Sequence, residues 1–201
     1  MLPTVALVGR PNVGKSTLFN KLTNSRDALV ADVPGLTRDR RYGRMHVEEG
    51  QATLIDTGGL FGEHVLANEL TGQTQLAVDE ADLVLLLLDG REGVTAADED
   101  VVTYLRKSNV AFLPVINKID GLNEDQITAD FVRFGFPEYA MISASHNRGL
   151  KQLRESIAEQ LTALDLLEGS EWEEEADGIR VAVVGRPNVG KSTLVNRLIG
   201  E

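Results

Sequence analysis

The chain has 201 residues, 42% of them hydrophobic and 25% charged, no cysteine and a formal net charge of −11, which suits a folded domain with part of another and excludes disorder throughout. Without cysteine neither a disulfide framework nor a thiolate metal site is possible. The longest apolar run, Leu83 to Leu88, spans six residues where a membrane-spanning helix needs about 20, and the excess of acid argues against a general electrostatic grip on nucleic acid. The expected compartment is the cytoplasm, with neither membrane nor DNA as a partner.

Along the chain, short β-rich apolar runs alternate with helical periodicity, the pattern of an α/β fold with a mostly parallel sheet covered by helices on both faces. Strands are expected at Thr4 to Val8, Arg40 to Val47, Ala52 to Asp56, Leu83 to Asp89, Ala111 to Asn117 and Tyr139 to Ile142. Glu48-Glu49-Gly50 is a hairpin signal between the second and third, so one edge strand should run antiparallel. Helices should start near Ser16, Asn68, Asp98, Glu124 and Arg148, the last with Leu150, Leu153, Ile157, Leu161 and Leu164 on one face. This first unit runs from residue 1 to 164. Residues 165 to 177 carry seven acids and no base, so 165 to 178 read as a self-repelling, extended linker.

The loop after the first strand, Gly9-Arg10-Pro11-Asn12-Val13-Gly14-Lys15-Ser16-Thr17, fits G-x-x-x-x-G-K-[ST] between an apolar strand and a helix, the setting of a phosphate-binding loop. Gly9 and Gly14 let the backbone wrap so that its N–H groups face a β-phosphate, Lys15 reaches the β- and γ-phosphates, and the Ser16 hydroxyl suits Mg²⁺. The dipole of the helix that follows adds to this attraction. Asp56-Thr57-Gly58-Gly59 ends another strand. Asp56 can hold Mg²⁺ through water, and the Gly59 N–H can sense a γ-phosphate.

Asn117-Lys118-Ile119-Asp120 lies at a strand end, where open α/β sheets bind ligands. The Asp120 carboxylate can accept from the N1–H and N2–H₂ edge of guanine, and adenine has no such donor pair, so the motif selects GTP and GDP over adenine nucleotides. Asn117 would tie the base loop to the phosphate loop, with the Lys118 stem along the ring. Ser143-Ala144-Ser145 would present backbone N–H groups to the guanine O6.

The phosphate loop recurs 176 residues later as Gly185-Arg186-Pro187-Asn188-Val189-Gly190-Lys191-Ser192, with similar flanks. Residues 179 to 201 are therefore expected to be the first strand, loop and helix of a truncated second copy, an incomplete nucleotide site. With the segment Ala31-Asp32-Val33-Pro34-Gly35-Leu36-Thr37-Arg38-Asp39, these motifs make the chain resemble the Der (EngA) family, bacterial GTPases with two consecutive G domains in the Era-like group. The resemblance implies a P-loop NTPase G domain with a six-stranded sheet, hydrolysis of GTP to GDP and phosphate, and a switch role in large-subunit (50S) ribosome biogenesis. It also implies the 50S subunit or its rRNA as partner of the full-length protein, whose remaining second G domain and KH-like domain are expected to be missing. A GTP-gated binding module with negligible hydrolysis is the alternative.

Thr37 is the only serine or threonine between Ser25 and Thr53 and the candidate switch threonine, its hydroxyl on Mg²⁺ and its backbone at the γ-phosphate. After Asp-x-x-Gly stands Leu60, which can neither orient nor polarise a water as a glutamine does. The resemblance implies a K⁺ ion where an arginine finger would reach, with Asn12 as a ligand. Asn12 can equally be a loop residue that tolerates an unusual backbone, and Arg38 could act in cis instead. Asn12, Lys15, Thr37 and Gly59 are thus the candidate catalytic set. Arg38, Arg40, Arg41 and Arg44 form one basic cluster, either a solvated strand face or a partner-contacting patch.

Overall fold

A computed structural model describes residues 2–23, 41–47, 50–57 and 72–167, without the side chains of 72, 73, 124 and 126. The chain divides into Met1–Glu171 and Trp172–Glu201, and every described residue lies in the first unit. The expectations for Thr37, Arg38, Arg40, Gly58, Gly59, Leu60, Glu48-Glu49, most of the linker and the second loop, Gly185 to Ser192, fall outside the described residues.

The strands are β1 (Thr4–Val8), β2 (Arg41–Val47), β3 (Gly50–Asp56), β4 (Leu83–Asp89), β5 (Ala111–Asn117) and β6 (Ala140–Met141), and the helices are α1 (Lys15–Leu22), α2 (Gly72–Glu80), α3 (Ala96–Ser108), α4 (Glu124–Phe131) and α5 (Leu150–Ala163). They form one six-stranded sheet in the order β2-β3-β1-β4-β5-β6. Only β2 with β3 is antiparallel, in a register that pairs Val47 with Gly50, and β1, β3, β4, β5 and β6 pair in parallel.

Central strands of such a sheet are covered on both sides, so their residues must be apolar without alternation. All seven positions of β4 are buried, and the first six, Leu83 to Leu88, are apolar. Alternate side chains then feed two cores: Val5, Leu7, Leu85 and Leu87 pack with Leu18, Phe19, Leu153, Ile157 and Leu161 of α1 and α5, while Ala6, Val8, Leu86 and Leu88 pack with Val78, Val102, Leu105, Ile127 and Phe131 of α2, α3 and α4. Each fully buried leucine contributes about 1.5 to 3 kcal/mol relative to exposure.

Several boundaries differ from the sequence reading for local reasons. α3 starts two residues before Asp98 because Thr95 caps it, the Thr95 hydroxyl accepting from the Asp98 N–H and the Asp98 carboxylate accepting from the Thr95 N–H, a capping box. Asp98 is thus the partner of the cap, not the first residue of the helix. β3 extends to Gly50, whereas β6 keeps only Ala140–Met141 because the Ile142 carbonyl leaves the ladder and accepts from the Ile119 N–H of the loop after β5 at 3.3 Å. On α5, Leu153, Ile157 and Leu161 are buried as the spacing requires, but Leu164 is 41% exposed at the helix end. Arg41 and Arg44 are exposed on the edge strand β2.

Arg154 of α5 ties three elements, donating to the carbonyls of His46 at 2.9 Å, Lys21 at 3.0 Å and Leu22 at 3.2 Å. It thereby occupies carbonyls at the C-terminal end of α1, which lack partners within the helix.

Candidate nucleotide-binding site

β1 has β3 on one side and β4 on the other, so the carboxyl end of β1 is the topological switch point of the sheet, where α/β folds open a crevice. The Gly9–Ser16 loop leaves β1 there and enters α1. Gly9 and Gly14 have φ of 154° and 101°, and a Cβ on either would stand 2.4 Å from the Leu87 carbonyl oxygen or the Asn117 amide nitrogen. Both glycines are therefore required by backbone geometry and by space. Gly14 caps α1 with no side-chain bond, and the first turn of α1 holds no acid, so the N–H groups at this helix end keep their capacity for an anion.

Lys15 is 5% exposed, and its ammonium donates to the carbonyls of Gly9 at 2.7 Å and Arg10 at 2.8 Å. Burial lowers its pKa to about 8, with nearby Arg10 adding to the effect and Asp56 opposing it. A buried cation with a depressed pKa gains from an anionic ligand. Asp56, at the end of β3 opposite Leu7, is fully buried, and the Thr57 hydroxyl donates to the Leu7 carbonyl at 2.7 Å. Ser16 sits half-buried in the first turn of α1. A serine hydroxyl and a carboxylate are hard oxygen donors that fit Mg²⁺, which takes few protein ligands and completes its shell with phosphates and water. Among the described residues no group of three or more histidine or acidic side chains gathers into a metal site.

Asn117 joins the two loops. It is 3% exposed; its amide donates to the Val13 carbonyl at 2.9 Å, and its side-chain oxygen accepts from the Ala144 N–H at 3.0 Å. Three segments far apart in sequence are thus held by one buried side chain. The Ala144 N–H, expected to face guanine O6, is in this bond instead. Ser143 is fully buried, and its hydroxyl donates to Asp120 Oδ1 at 2.8 Å. Ser145 lies beyond it on the surface beside His146.

Not every motif residue faces the crevice. Val13 and Ile119 are core side chains, 0% and 3% exposed, and serve to fix their turns. The Arg10 side chain turns away to Glu92 at 2.6 Å and to the buried Asp98 at 3.4 Å, leaving its carbonyl for Lys15. Pro11, Asn12 and Thr17 are exposed, and Asn12 has φ of 65°, the left-handed conformation that asparagine tolerates.

The turn after β4, Asp89–Gly93, was not singled out by sequence reasoning, yet it buttresses the base loop. Its signal was modest: an acidic strand end followed by Gly-x-x-Gly. The Gly90 N–H donates to the Asn117 carbonyl at 2.8 Å, Lys118 pairs with Asp89 at 2.6 Å, and the Arg91 guanidinium pairs with Asp120. Burial pushes the Asp89 carboxyl up, but the Lys118 ammonium and the N–H groups of Arg91 and Glu92 outweigh it and hold the pKa below the usual value. Lys118, at φ of 65°, is itself bent into this contact.

The family model for the 50S ribosome-binding GTPase matches residues 4–118 and again 180–201, more than half of the chain. The chain belongs to the 50S ribosome-binding GTPase family. Relatives within curated proteins are GTPase Der of Marinobacter nauticus, 54% identical over 205 residues, and GTPase Der of Marinomonas sp., 52% identical over 202 residues. Each match takes in all of this chain but only 42% and 45% of the relative, so the chain spans less than half the length of these proteins. Among solved structures, Aquifex aeolicus Era bound to GDP and AlF4⁻ aligns with a TM-score of 0.63 at 29% identity, covering 79% of this chain and 56% of that one. Era in complex with MgGDPNP and nucleotides 1506–1542 of 16S ribosomal RNA aligns with a TM-score of 0.63 at 27% identity over the same shares. The described part of this family member is a P-loop GTPase G domain. Among the described residues no helix is long and apolar enough to cross a membrane.

Proposed function

We propose that this chain binds Mg²⁺-GTP between the Gly9–Ser16 loop and the Asn117–Asp120 loop and hydrolyses it to GDP and phosphate by in-line attack of water, as a nucleotide switch in assembly of the 50S subunit. The observation that carries the reading is Asn117, whose two buried bonds to Val13 and Ala144 hold the phosphate-binding loop and the guanine-reading loop together at the carboxyl end of the sheet. Era structures with GDP and AlF4⁻ and with MgGDPNP and the name of the family point the same way. The cytoplasm is the compartment this reading requires. The linker expected at 165–178 begins only after Leu167, which packs in the core of the first unit, and 179–201 open a second G domain, a division supported by the separate match over 180–201.

Lys15 carries its charge to the β- and γ-phosphates, whose anions raise its pKa again. Mg²⁺, on the Ser16 hydroxyl and through water on Asp56, offsets charge on the same phosphates, with Thr37 as a further ligand from the switch segment. Asp120 accepts from the guanine edge and sets base choice. Leu60 cannot orient water, and charge that develops between the β- and γ-phosphates would be offset by a K⁺ ion held by Asn12, an exposed residue of the phosphate loop.

Phosphate release over many turnovers, in K⁺ and in Na⁺ at equal ionic strength, tests this reading. Hydrolysis should be much slower in Na⁺ while GTP binding is nearly unchanged, and Asn12→Ala should abolish the difference. Equal rates in both salts would remove K⁺ from the mechanism. Tight GTP binding with negligible phosphate release in K⁺ would leave a GTP-gated binding module in its place.

A further inference from the structure

We infer that Arg91 is a positioning residue for base selectivity, holding the Asp120 carboxylate in the orientation that guanine requires; this rests on the guanine reading of Asp120. An ionised carboxylate offers about four acceptor positions, two on each oxygen. Among the described residues, the Ser143 hydroxyl takes one on Oδ1 and the Arg91 guanidinium one on Oδ2. His146 Nδ1, 3.7 Å from Oδ1, is beyond hydrogen-bond distance. One position therefore remains on each oxygen, and guanine presents two parallel donors, N1–H and N2–H₂, that need one on each. A carboxylate fixed only through Oδ1 would rotate and lose this match.

Arg91 is placed for the task by its own turn. The Asp89 carboxylate accepts from the backbone N–H groups of Arg91 at 3.0 Å and Glu92 at 3.3 Å, and the Gly93 N–H closes the turn on the Asp89 carbonyl at 3.0 Å. Three consecutive residues then each hold one residue of the base loop: Asp89 holds Lys118, Gly90 holds Asn117 and Arg91 holds Asp120. The first holds the Lys118 side chain and the second the backbone of the loop. Only the third reaches the atoms that read the base.

Arg91 is 57% exposed, so solvent screens its pairing and the effect is modest, about two- to fivefold in affinity. The effect lies in dissociation, because the carboxylate is oriented in the bound state. The experiment uses the full chain, a fluorescent GDP for rates, and GDP and ADP for selectivity. Arg91→Ala should speed GDP dissociation about two- to fivefold with association unchanged, and should narrow the preference for GDP over ADP. Arg91→Lys, which keeps charge without the planar fork, should recover part of the loss. In an Asp120→Ala background the Arg91→Ala change should cost nothing further, an outcome that a merely structural role would not produce.

Unchanged or slower dissociation in Arg91→Ala, or an equal loss when Asp120 is already alanine, would overturn the assignment. An Arg91 in competition with guanine for Asp120 would show the opposite sign, tighter binding and faster association in Arg91→Ala. A wild-type chain that does not prefer GDP over ADP would refute the guanine reading of Asp120 itself. Clear preference in the wild type with no change in Arg91→Ala refutes only the role of Arg91.

Discussion

Replacing Asn117 with alanine removes the side chain that joins the phosphate loop, the base loop and the turn after β6. The loss leaves the Val13 carbonyl and the Ala144 N–H without the bonds they now make at 2.9 and 3.0 Å, at residues that are 0% and 1% exposed. Each buried group left unsatisfied costs about 1 to 3 kcal/mol, so with two such groups the variant should lose about 2 to 6 kcal/mol. For a domain of this size that corresponds to roughly 5 to 20 °C in Tm. Urea unfolding with an unchanged m-value is the assay, and GDP affinity should fall in parallel because the two loops are no longer registered. Gly14→Ala is an internal control: its Cβ would stand 2.4 Å from the same amide nitrogen, so the two changes should be markedly less than additive. A loss below about 1 kcal/mol in Asn117→Ala, or full additivity with Gly14→Ala, would refute the reasoning.

Asp120→Asn exchanges one acceptor for a donor, so competition binding should move from GTP towards xanthosine triphosphate, whose C2 carries a carbonyl; retained GTP preference would contradict the assignment. Lys15 has a folded-state pKa of about 8 against 10.5, so the unfolded chain binds more protons between these values. Nucleotide-free stability should therefore rise with pH across that window, by about 3 kcal/mol in all. Since phosphate restores the Lys15 proton, Mg²⁺-GDP binding near pH 9 should take up protons, measurable by calorimetry in buffers of different ionisation heat; a heat independent of buffer would exclude it. Arg154→Ala, which frees the carbonyls of His46, Lys21 and Leu22, should lose about 1 to 3 kcal/mol in urea with GDP affinity little changed, and Arg154→Lys should not restore it.

What was legible in the sequence was whatever depends on neighbours in the chain. The unbroken apolar run of β4 forces a strand covered on both faces, and Gly9 to Ser16 carries its backbone requirements in its own residue types. Asn117 was read as the tie between loops from its place in Asn-Lys-x-Asp, and its amide does reach Val13. What was not legible depends on partners brought together only by folding: Arg91 meets Asp120 across 29 residues, Arg10 meets Glu92 across 82, and Arg154 meets Lys21 across 133. No local pattern marks an arginine that will find its acceptor so far along the chain. Thr95 was a local signal passed over, since Thr-x-x-Asp is itself a cap. The expected direction of the Ala144 N–H assumed a bound base, whereas the chain closes that bond on Asn117.

The central claim is that the crevice at the carboxyl end of the sheet is a guanine-nucleotide site built on Lys15 and Asp120. Titration calorimetry of the full chain with Mg²⁺-GDP and, separately, Mg²⁺-ADP tests it most directly. GDP should bind, Lys15→Ala should abolish that binding, and ADP should bind on the order of 10⁴-fold more weakly, since a site built to pair with a donor edge rejects a base that lacks it. Comparable affinity for ADP, or GDP binding that survives Lys15→Ala, would contradict the account.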